Sequence, residues 1–259
     1  MLRKLLAALA ALIVLSLSVS GAQAITYGSR DDDGHPNVGA LVAEFDGQKQ
    51  LVCSGTLIAE DVFLTAAHCT WYLEYLGIED VWVTFDSPLT TGSTFFPGVM
   101  HTNPGFNWRQ SDPGDIAAVV FPGPVSGVTP ATLPTASLLD QLAASRSLKG
   151  QRFTAVGYGA NEPTLGGGRP SFEDLGIRQY VTSTFSALNP AWLRLSQNKA
   201  TGNGGTCYGD SGGPNFLGDS NMVASITVTG DAMCLATNVT YRLDTPSARA
   251  FLGQYVSLP

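Results

Sequence analysis

Short apolar runs separated by turn residues make up the chain from Val38 onward. Residues 81–85 combine β-branched and aromatic side chains, and residues 116–121 are continuously apolar, as in a strand buried on both faces. Residues 40–45 end at Asp46-Gly47, a dipeptide typical of a tight β-hairpin. Further strands are predicted at 50–53, 55–58, 153–157, 178–184 and 222–229. No strand–helix repeat indicates a parallel sheet, so the pattern predicts an all-β protein, a barrel or a sandwich.

Turn residues and one helix complete this pattern. Residues 161–170 and 122–134 are predicted loops, and the second, with four prolines, is suited to link two halves of the chain. A C-terminal helix is predicted at about 246–255, because Thr245-Pro246 supplies an N-cap and a first-turn proline. The high counts of Gly (29) and Pro (15) and the low charged fraction (14%) favour a β-rich protein with many turns. The net charge of −7 argues against nucleic acid as a partner.

The first 24 residues have the pattern of a signal peptide. Arg3 and Lys4 precede an apolar stretch at 5–17, and Ala22-Gln23-Ala24 is a small-x-small cleavage sequence. The alternative, a membrane anchor, needs about 20 apolar residues, and this stretch is shorter. We therefore expect an exported protein, extracellular or periplasmic, whose domain spans residues 25–259 and has no membrane contact after cleavage.

Four cysteines, Cys53, Cys69, Cys207 and Cys234, indicate disulfides in an exported chain. Their spacing alone leaves three pairings open. No CxxC pair occurs and the chain has only 3 histidines, so a metal site is poorly supported.

Ser211 is the strongest nucleophile candidate, because it lies in the glycine-rich sequence 209–214. A serine hydroxyl reacts when a base takes its proton and backbone N–H groups reach the developing oxyanion, and flanking glycines permit that close approach. The N–H groups of Gly209 and Ser211 are the expected donors. An inert glycine-rich turn is the simpler alternative. The motif also fits α/β-hydrolases, but their histidine follows the serine and none follows Ser211 here.

The base must therefore lie upstream of Ser211. His68, in the sequence 64–69, is flanked by small residues and Cys69, whereas His35 and His101 lie near turns and are predicted to be at the surface. Asp115 begins the apolar run 116–121, where a carboxylate is costly unless it is hydrogen-bonded. Accepting the Nδ1–H of His68 would satisfy Asp115 and hold the imidazole in its productive tautomer.

The stretches 65–69, 115–117 and 209–214 together resemble the chymotrypsin/trypsin-like serine proteases, whose triad runs in the order histidine, aspartate, serine. The resemblance implies two packed six-stranded antiparallel β-barrels, at about 25–130 and 145–245, with the triad between them. It also implies the disulfides Cys53–Cys69 and Cys207–Cys234. The implied activity is that of an endopeptidase acting on proteins or peptides without a cofactor, in a chain that we expect to be monomeric.

The family's mature chain starts with Ile-x-x-Gly, and residues 25–28 of this chain have that pattern directly after the predicted cleavage site. The resemblance implies that the new ammonium group of Ile25 pairs with Asp210. For the acidic residues 31–33, we expect a solvated turn rather than a calcium site.

The resemblance places Gly205 at the base of the primary substrate pocket, beside Thr206, with Gly230 and Asn238 in the walls. Without a carboxylate at the base, we expect apolar or aromatic rather than basic side chains before the scissile bond. Residues 228–230 depart from the family's usual Ser-Trp-Gly. This departure keeps open an alternative function, that of a catalytically silent homologue acting as a binding module.

Overall fold

The computed structural model describes residues 25–161 and 175–259, and in these ranges most of the regular secondary structure is antiparallel strand. The predicted signal peptide and most of the predicted loop at 161–170 lie outside the described residues. The strands are β1 (Ser29–Arg30), β2 (Val38–Phe45), β3 (Gln48–Ala59), β4 (Val62–Thr65), β5 (Val81–Thr84), β6 (Phe96–Thr102), β7 (Ala117–Val120), β8 (Arg152–Gly157), β9 (Gln179–Leu188), β10 (Trp192–Ser196), β11 (Pro214–Leu217), β12 (Val223–Gly230) and β13 (Thr237–Arg242). The helices are α1 (Ala67–Tyr75), α2 (Leu138–Ala144) and α3 (Pro246–Leu252), with a 3₁₀ turn at Lys199–Thr201.

Two six-stranded antiparallel β-barrels form the fold, as predicted. The first is closed in the order β2-β3-β4-β7-β6-β5. The second has the order β9-β10-β13-β12-β11-β8, and it is closed because β8 also pairs with β9. Buried aliphatic and aromatic side chains such as Phe63, Leu64 and Val119 fill the first barrel, and Phe153, Leu193 and Leu195 lie in the core of the second.

The hairpin between β2 and β3 forms where the sequence predicts it. Asp46 and Gly47 have φ angles of 51° and 75°, the left-handed conformation that a two-residue hairpin requires. The predicted strands at 50–53 and 55–58 are one 12-residue strand, β3. This strand has a register irregularity opposite Leu41 and Val42, so it curves without ending.

The chain passes from the first barrel to the second after β7. In this connection the N–H of Ala131 donates to the Leu57 carbonyl in β3, and that of Thr132 donates to Asn221 beside β12. The proline-rich segment is thus hydrogen-bonded to both barrels. The N-terminal segment departs from the expected barrel boundary, because β1 pairs with β9 of the second barrel.

The C-terminal helix α3 begins as predicted, since Pro246 occupies its first turn and the Thr245 hydroxyl accepts the N–H of Ala248. It ends at Leu252, three residues before the expected end, and buries Phe251 and Leu252. No helix among the described residues is long and apolar enough to span a membrane.

The expected solvated turn at 31–33 is wrong for Asp31, which is 5% exposed. Its carboxylate accepts a hydrogen bond from Nε of the buried Arg178 at 2.8 Å and lies 2.5 Å from Nδ1 of His35. His35 is therefore partly buried rather than a surface residue, and its ring stacks on Phe216. Arg178 also donates to the Phe85 carbonyl of the first barrel, so this ionic cluster links the N-terminal segment to both barrels.

Candidate active site

His68 lies at the point where β4 ends and α1 begins. The disulfide from Cys69 to Cys53 in β3 fastens this corner to the first barrel. Nδ1 of His68 is 2.9 Å from Oδ2 of Asp115, and its backbone N–H donates to Oδ1 of the same residue at 2.9 Å. Asp115 is fully buried just before β7. Both of its oxygens are thus bonded to His68, which fixes the ring orientation and presents Nε2 to the cleft.

The catalytic loop, residues 207–213, runs from Cys207 to β11 and carries Ser211. Gly209 and Gly212 have φ angles of 96° and 79°, which favour glycine. Gly212 also lies so close to Thr65 at the end of β4 that a Cβ there would overlap its hydroxyl. Its N–H donates to the Thr227 carbonyl at 2.7 Å. The glycines of the motif therefore let the loop dock against both barrels.

Ser54 in β3 holds the catalytic loop from the side of the first barrel, a role that the sequence analysis missed. Its hydroxyl donates to the Gly209 carbonyl and accepts the N–H of Tyr158, each at 2.9 Å, and its own N–H donates to the Ser211 carbonyl at 2.9 Å. These bonds turn the carbonyls of Gly209 and Ser211 toward Ser54. Among the described residues, the backbone N–H groups of Gly209 and Ser211 donate to no backbone carbonyl.

Ser211 lies where two cavities meet. The first, which we call the primary cavity, has a volume of about 310 Å³ and is lined by Thr206, Cys207, Tyr208, Ser211, Thr227, Val228, Thr229, Gly230, Asp231, Ala232 and Cys234. The second is lined by Phe45, Gln50, Leu51, Val52, Cys53, His68, Cys69, Tyr72 and Ser211. His68 and Ser211 therefore line one cavity together, and Ser211 also lines the primary cavity.

The four predicted pocket residues divide into two groups. Thr206 and Gly230 line the primary cavity, and the disulfide Cys207–Cys234 forms part of its wall. Gly205 and Asn238 are buried and do not line it.

Asp231 is the charged side chain in the wall of the primary cavity. Burial acts to raise the pKa of Asp231, but the backbone N–H groups of Leu235, Thr237 and Ala236 donate to its carboxylate and lower it below the usual value. This carboxylate is consequently ionised, and its hydrogen bonds hold the loop at residues 235–237.

Ile25 and Asp210 are both fully buried. The Ile25 amide donates to the Ala160 carbonyl at 3.2 Å, and the neighbouring amide of Gly159 donates to Asp210 at 2.8 Å. A second N–H, from Cys207, reaches the other carboxylate oxygen at 2.8 Å. Burial raises the pKa of Asp210 to about 7, although these two hydrogen bonds act to lower it.

The ring of Trp108 packs 5.5 Å from that of His68 and is half exposed. The sequence offered no motif for this residue. Cys53 and Cys69 also lie close to a ring nitrogen of His68, but their disulfide removes the thiolates that a metal ion would need.

A two-barrel protein with a histidine–aspartate pair and a serine in a glycine-rich loop facing one cleft defines the class of trypsin-like serine proteases. Residues 31–250 match the family described as Trypsin, and the chain belongs to that family. The chain is similar to a vitellin-degrading protease of Bombyx mori, with 29% identity over 171 residues that cover 62% of this chain and 61% of the relative. A solved structure described as HL collagenase superposes with a TM-score of 0.65 at 20% identity, covering 89% of this chain and 97% of the other. This second likeness supports the fold.

Proposed function

We propose that the protein is a serine endopeptidase that cleaves peptide bonds through an acyl-enzyme. Ser211 is the nucleophile, His68 takes and returns its proton, and Asp115 orients the imidazole and stabilises its charged form. The observation that carries this proposal is the pairing of both Asp115 oxygens with His68 on the cavity that Ser211 also lines. The amides of Gly209 and Ser211 serve as the oxyanion hole, where each donor contributes about 2.7–4 kcal/mol to transition-state stabilisation.

Secretion and activation are parts of the same proposal. Cleavage after Ala24 would export the protein and convert the Ile25 amide into an ammonium group. The nitrogen of Ile25 contacts the Ala160 carbonyl, and the N–H of the adjacent residue Gly159 donates to Asp210. The new ammonium group would therefore lie near this carboxylate. Its charge would pair with the buried carboxylate and stabilise the catalytic loop that follows it.

The substrates are proteins or peptides, cleaved by a monomer without a cofactor. The carboxylate of Asp231 in the wall of the primary cavity accepts three backbone N–H groups, which leaves it little further capacity to bond a basic side chain. A basic side chain would be buried there at high cost. We therefore propose apolar or aromatic rather than basic residues before the scissile bond.

Labelling with a fluorophosphonate tests the proposal, since this reagent requires an activated serine and an assembled oxyanion hole. The wild-type secreted protein should label and hydrolyse peptide substrates, whereas Ser211→Ala and His68→Ala should do neither. Ser220→Ala, which changes an exposed serine in the β11–β12 turn, is the matched control and should behave as wild type.

A folded protein that begins at Ile25 and does not label would contradict the proposal and favour the silent homologue. N-terminal sequencing of the active protein tests the activation step separately, because any start other than Ile25 would contradict it.

A further inference from the structure

The loop between β6 and β7, residues 103–116, carries Asp115. Asp115 is fully buried, and among the described residues only His68 donates to its carboxylate. The position of this carboxylate therefore depends on how the backbone of the loop is held.

The backbone just before Asp115 is held on both sides of one residue, Gly114. Its N–H donates to Oδ1 of Asp112 at 3.2 Å, and its carbonyl accepts a hydrogen bond from Nδ2 of Asn103 at 2.9 Å. Gly114 has a φ angle of 63°, and a Cβ at this position would lie 2.7 Å from the same Asn103 nitrogen, so the loop requires glycine here. Asp112 and Asn103 together fix the direction in which the chain enters Asp115.

Asp112 also bonds the loop to the second barrel and to the helix that follows it. Oδ1 of Asp112 accepts the hydroxyl of Tyr241 in β13 at 2.8 Å, and Oδ2 accepts the hydroxyl of Ser247 in the first turn of α3. The two hydroxyls lie 3.2 Å from each other, and we call these three side chains the Asp112 cluster. Burial raises the pKa of Tyr241, so its hydroxyl keeps its proton and remains a donor to Asp112.

A second contact lies beside the Asp112 cluster. Nε1 of Trp192 in β10 donates to the carbonyl of Ser111 at 3.1 Å. The Trp192 ring packs edge-on against that of Tyr241, with centroids 6.0 Å apart. Two consecutive residues of the loop thus contact the second barrel, whereas His68 is fastened to the first by the neighbouring disulfide. The loop that carries Asp115 is therefore held by both barrels.

We propose that Asp112, held by Tyr241 and Ser247, is a positioning residue that acts through Asp115 to keep the His68 imidazole oriented. This inference rests on the proposed protease function. A displacement of about 1 Å at a reacting group can cost about a hundredfold in rate, so a loop released from the second barrel should slow the chemical step. No member of the Asp112 cluster lines the primary cavity, so binding of the substrate side chain there should change little.

The test compares kcat and KM of three variants on one peptide substrate. Asp112→Ala removes the carboxylate and should lower kcat by about tenfold or more, with KM within about twofold of wild type. Tyr241→Phe removes one donor and keeps the ring, and it should lower kcat by about threefold or more. Tyr255→Phe is the matched control, because it removes a tyrosine hydroxyl near α3 that is not part of the cluster, and it should keep the wild-type kcat.

Adding each substitution to Asp115→Asn separates positioning from a general loss of stability. Because Asp112 acts through Asp115, Asp112→Ala should change the residual kcat of Asp115→Asn by less than about twofold. Urea unfolding gives the folded fraction of each variant, and kcat is corrected for it. If Asp112→Ala does not fold, Tyr241→Phe decides the question by the same two comparisons.

Two results would overturn this inference alone: an unchanged kcat in Asp112→Ala and Tyr241→Phe, or a loss of the same size in the Asp115→Asn background. Wild-type protein that fails to label with the fluorophosphonate would overturn the proposed function and this inference with it.

Discussion

Retaining a short extension before Ile25 should make the folded protein lose stability as pH rises from 5 to 8, because of Asp210. In the chain with a peptide bond at Ile25, the carboxylate is fully buried and accepts two backbone N–H groups. Burial outweighs those hydrogen bonds and raises the pKa of Asp210 from 3.8 to about 7. The folded uncut protein therefore holds this proton more tightly than the unfolded chain does.

Proton linkage gives the sign and the size of this change in the free energy of unfolding. Between pH 4 and 7 the unfolded chain has lost a proton that the folded uncut chain still binds, so stability falls as pH rises. The full shift corresponds to about 4 kcal/mol, of which about 2 to 3 kcal/mol is lost between pH 5 and pH 8. An ammonium at Ile25 favours the charged carboxylate and lowers its pKa. In a chain that starts at Ile25, the loss of stability between pH 5 and pH 8 should therefore be smaller than in the uncut chain.

Urea unfolding followed by tryptophan fluorescence measures this difference. The comparison needs Ser211→Ala protein, which cannot digest itself, in two forms: one that starts at Ile25 and one that keeps Gln23 and Ala24. Asp210→Asn in each form removes the titration and supplies the baseline slope from all other groups. An uncut form whose stability between pH 5 and 8 parallels that of Asp210→Asn would refute the raised pKa. Equal slopes in the cut and uncut forms would refute the pairing with Ile25.

Three further substitutions test other contacts. Asp115→Asn should lower kcat by about 10⁴-fold with little change in fold, because it leaves His68 in the wrong tautomer. Steady-state kinetics measures the first effect and circular dichroism the second, and a near-normal kcat would contradict the role of Asp115. Arg178→Met should lower the free energy of unfolding by about 3–5 kcal/mol, since it leaves Asp31 buried without its guanidinium partner. A loss below about 1 kcal/mol in urea unfolding would show that the ionic cluster does not stabilise the N-terminal segment. Ser54→Ala should lower the free energy of unfolding by about 1–3 kcal/mol, because the Gly209 carbonyl loses its hydrogen-bond donor. It should also slow fluorophosphonate labelling, and an unchanged labelling rate would contradict the positioning role of Ser54.

Local patterns in the sequence were sufficient where the local chain determines its own conformation. Asp46-Gly47 specifies a hairpin by its left-handed dihedrals, and Thr245-Pro246 specifies a helix start. The continuous apolar run at 116–121 became β7, which pairs with β4 and β6. The curvature of β3 was not predictable in this way, because it depends on its register with neighbouring strands.

In the candidate site, too, some residues could be predicted from local sequence and others could not. The proximity of His68, Asp115 and Ser211 could be predicted because each of these residues lies in a short motif. Ser54 and Trp108 could not, since they act on the catalytic loop or the histidine ring from distant parts of the chain. Their roles depend on which strands meet, and a serine or a tryptophan in isolation carries no such information.

The primary cavity shows why a residue named from a resemblance need not lie on the surface of the site. The resemblance implies Gly205 at the base of the pocket, where the absence of a carboxylate argues against basic substrates. In the structure Gly205 is buried and does not line the cavity, and a Cβ at this position would overlap the side chain of Gln197. Packing between distant strands decides which residues reach the cavity, and a single residue in a motif carries no such information. Specificity in this protein is therefore better argued from residues that line the cavity, such as Thr206, Gly230 and Asp231, than from Gly205.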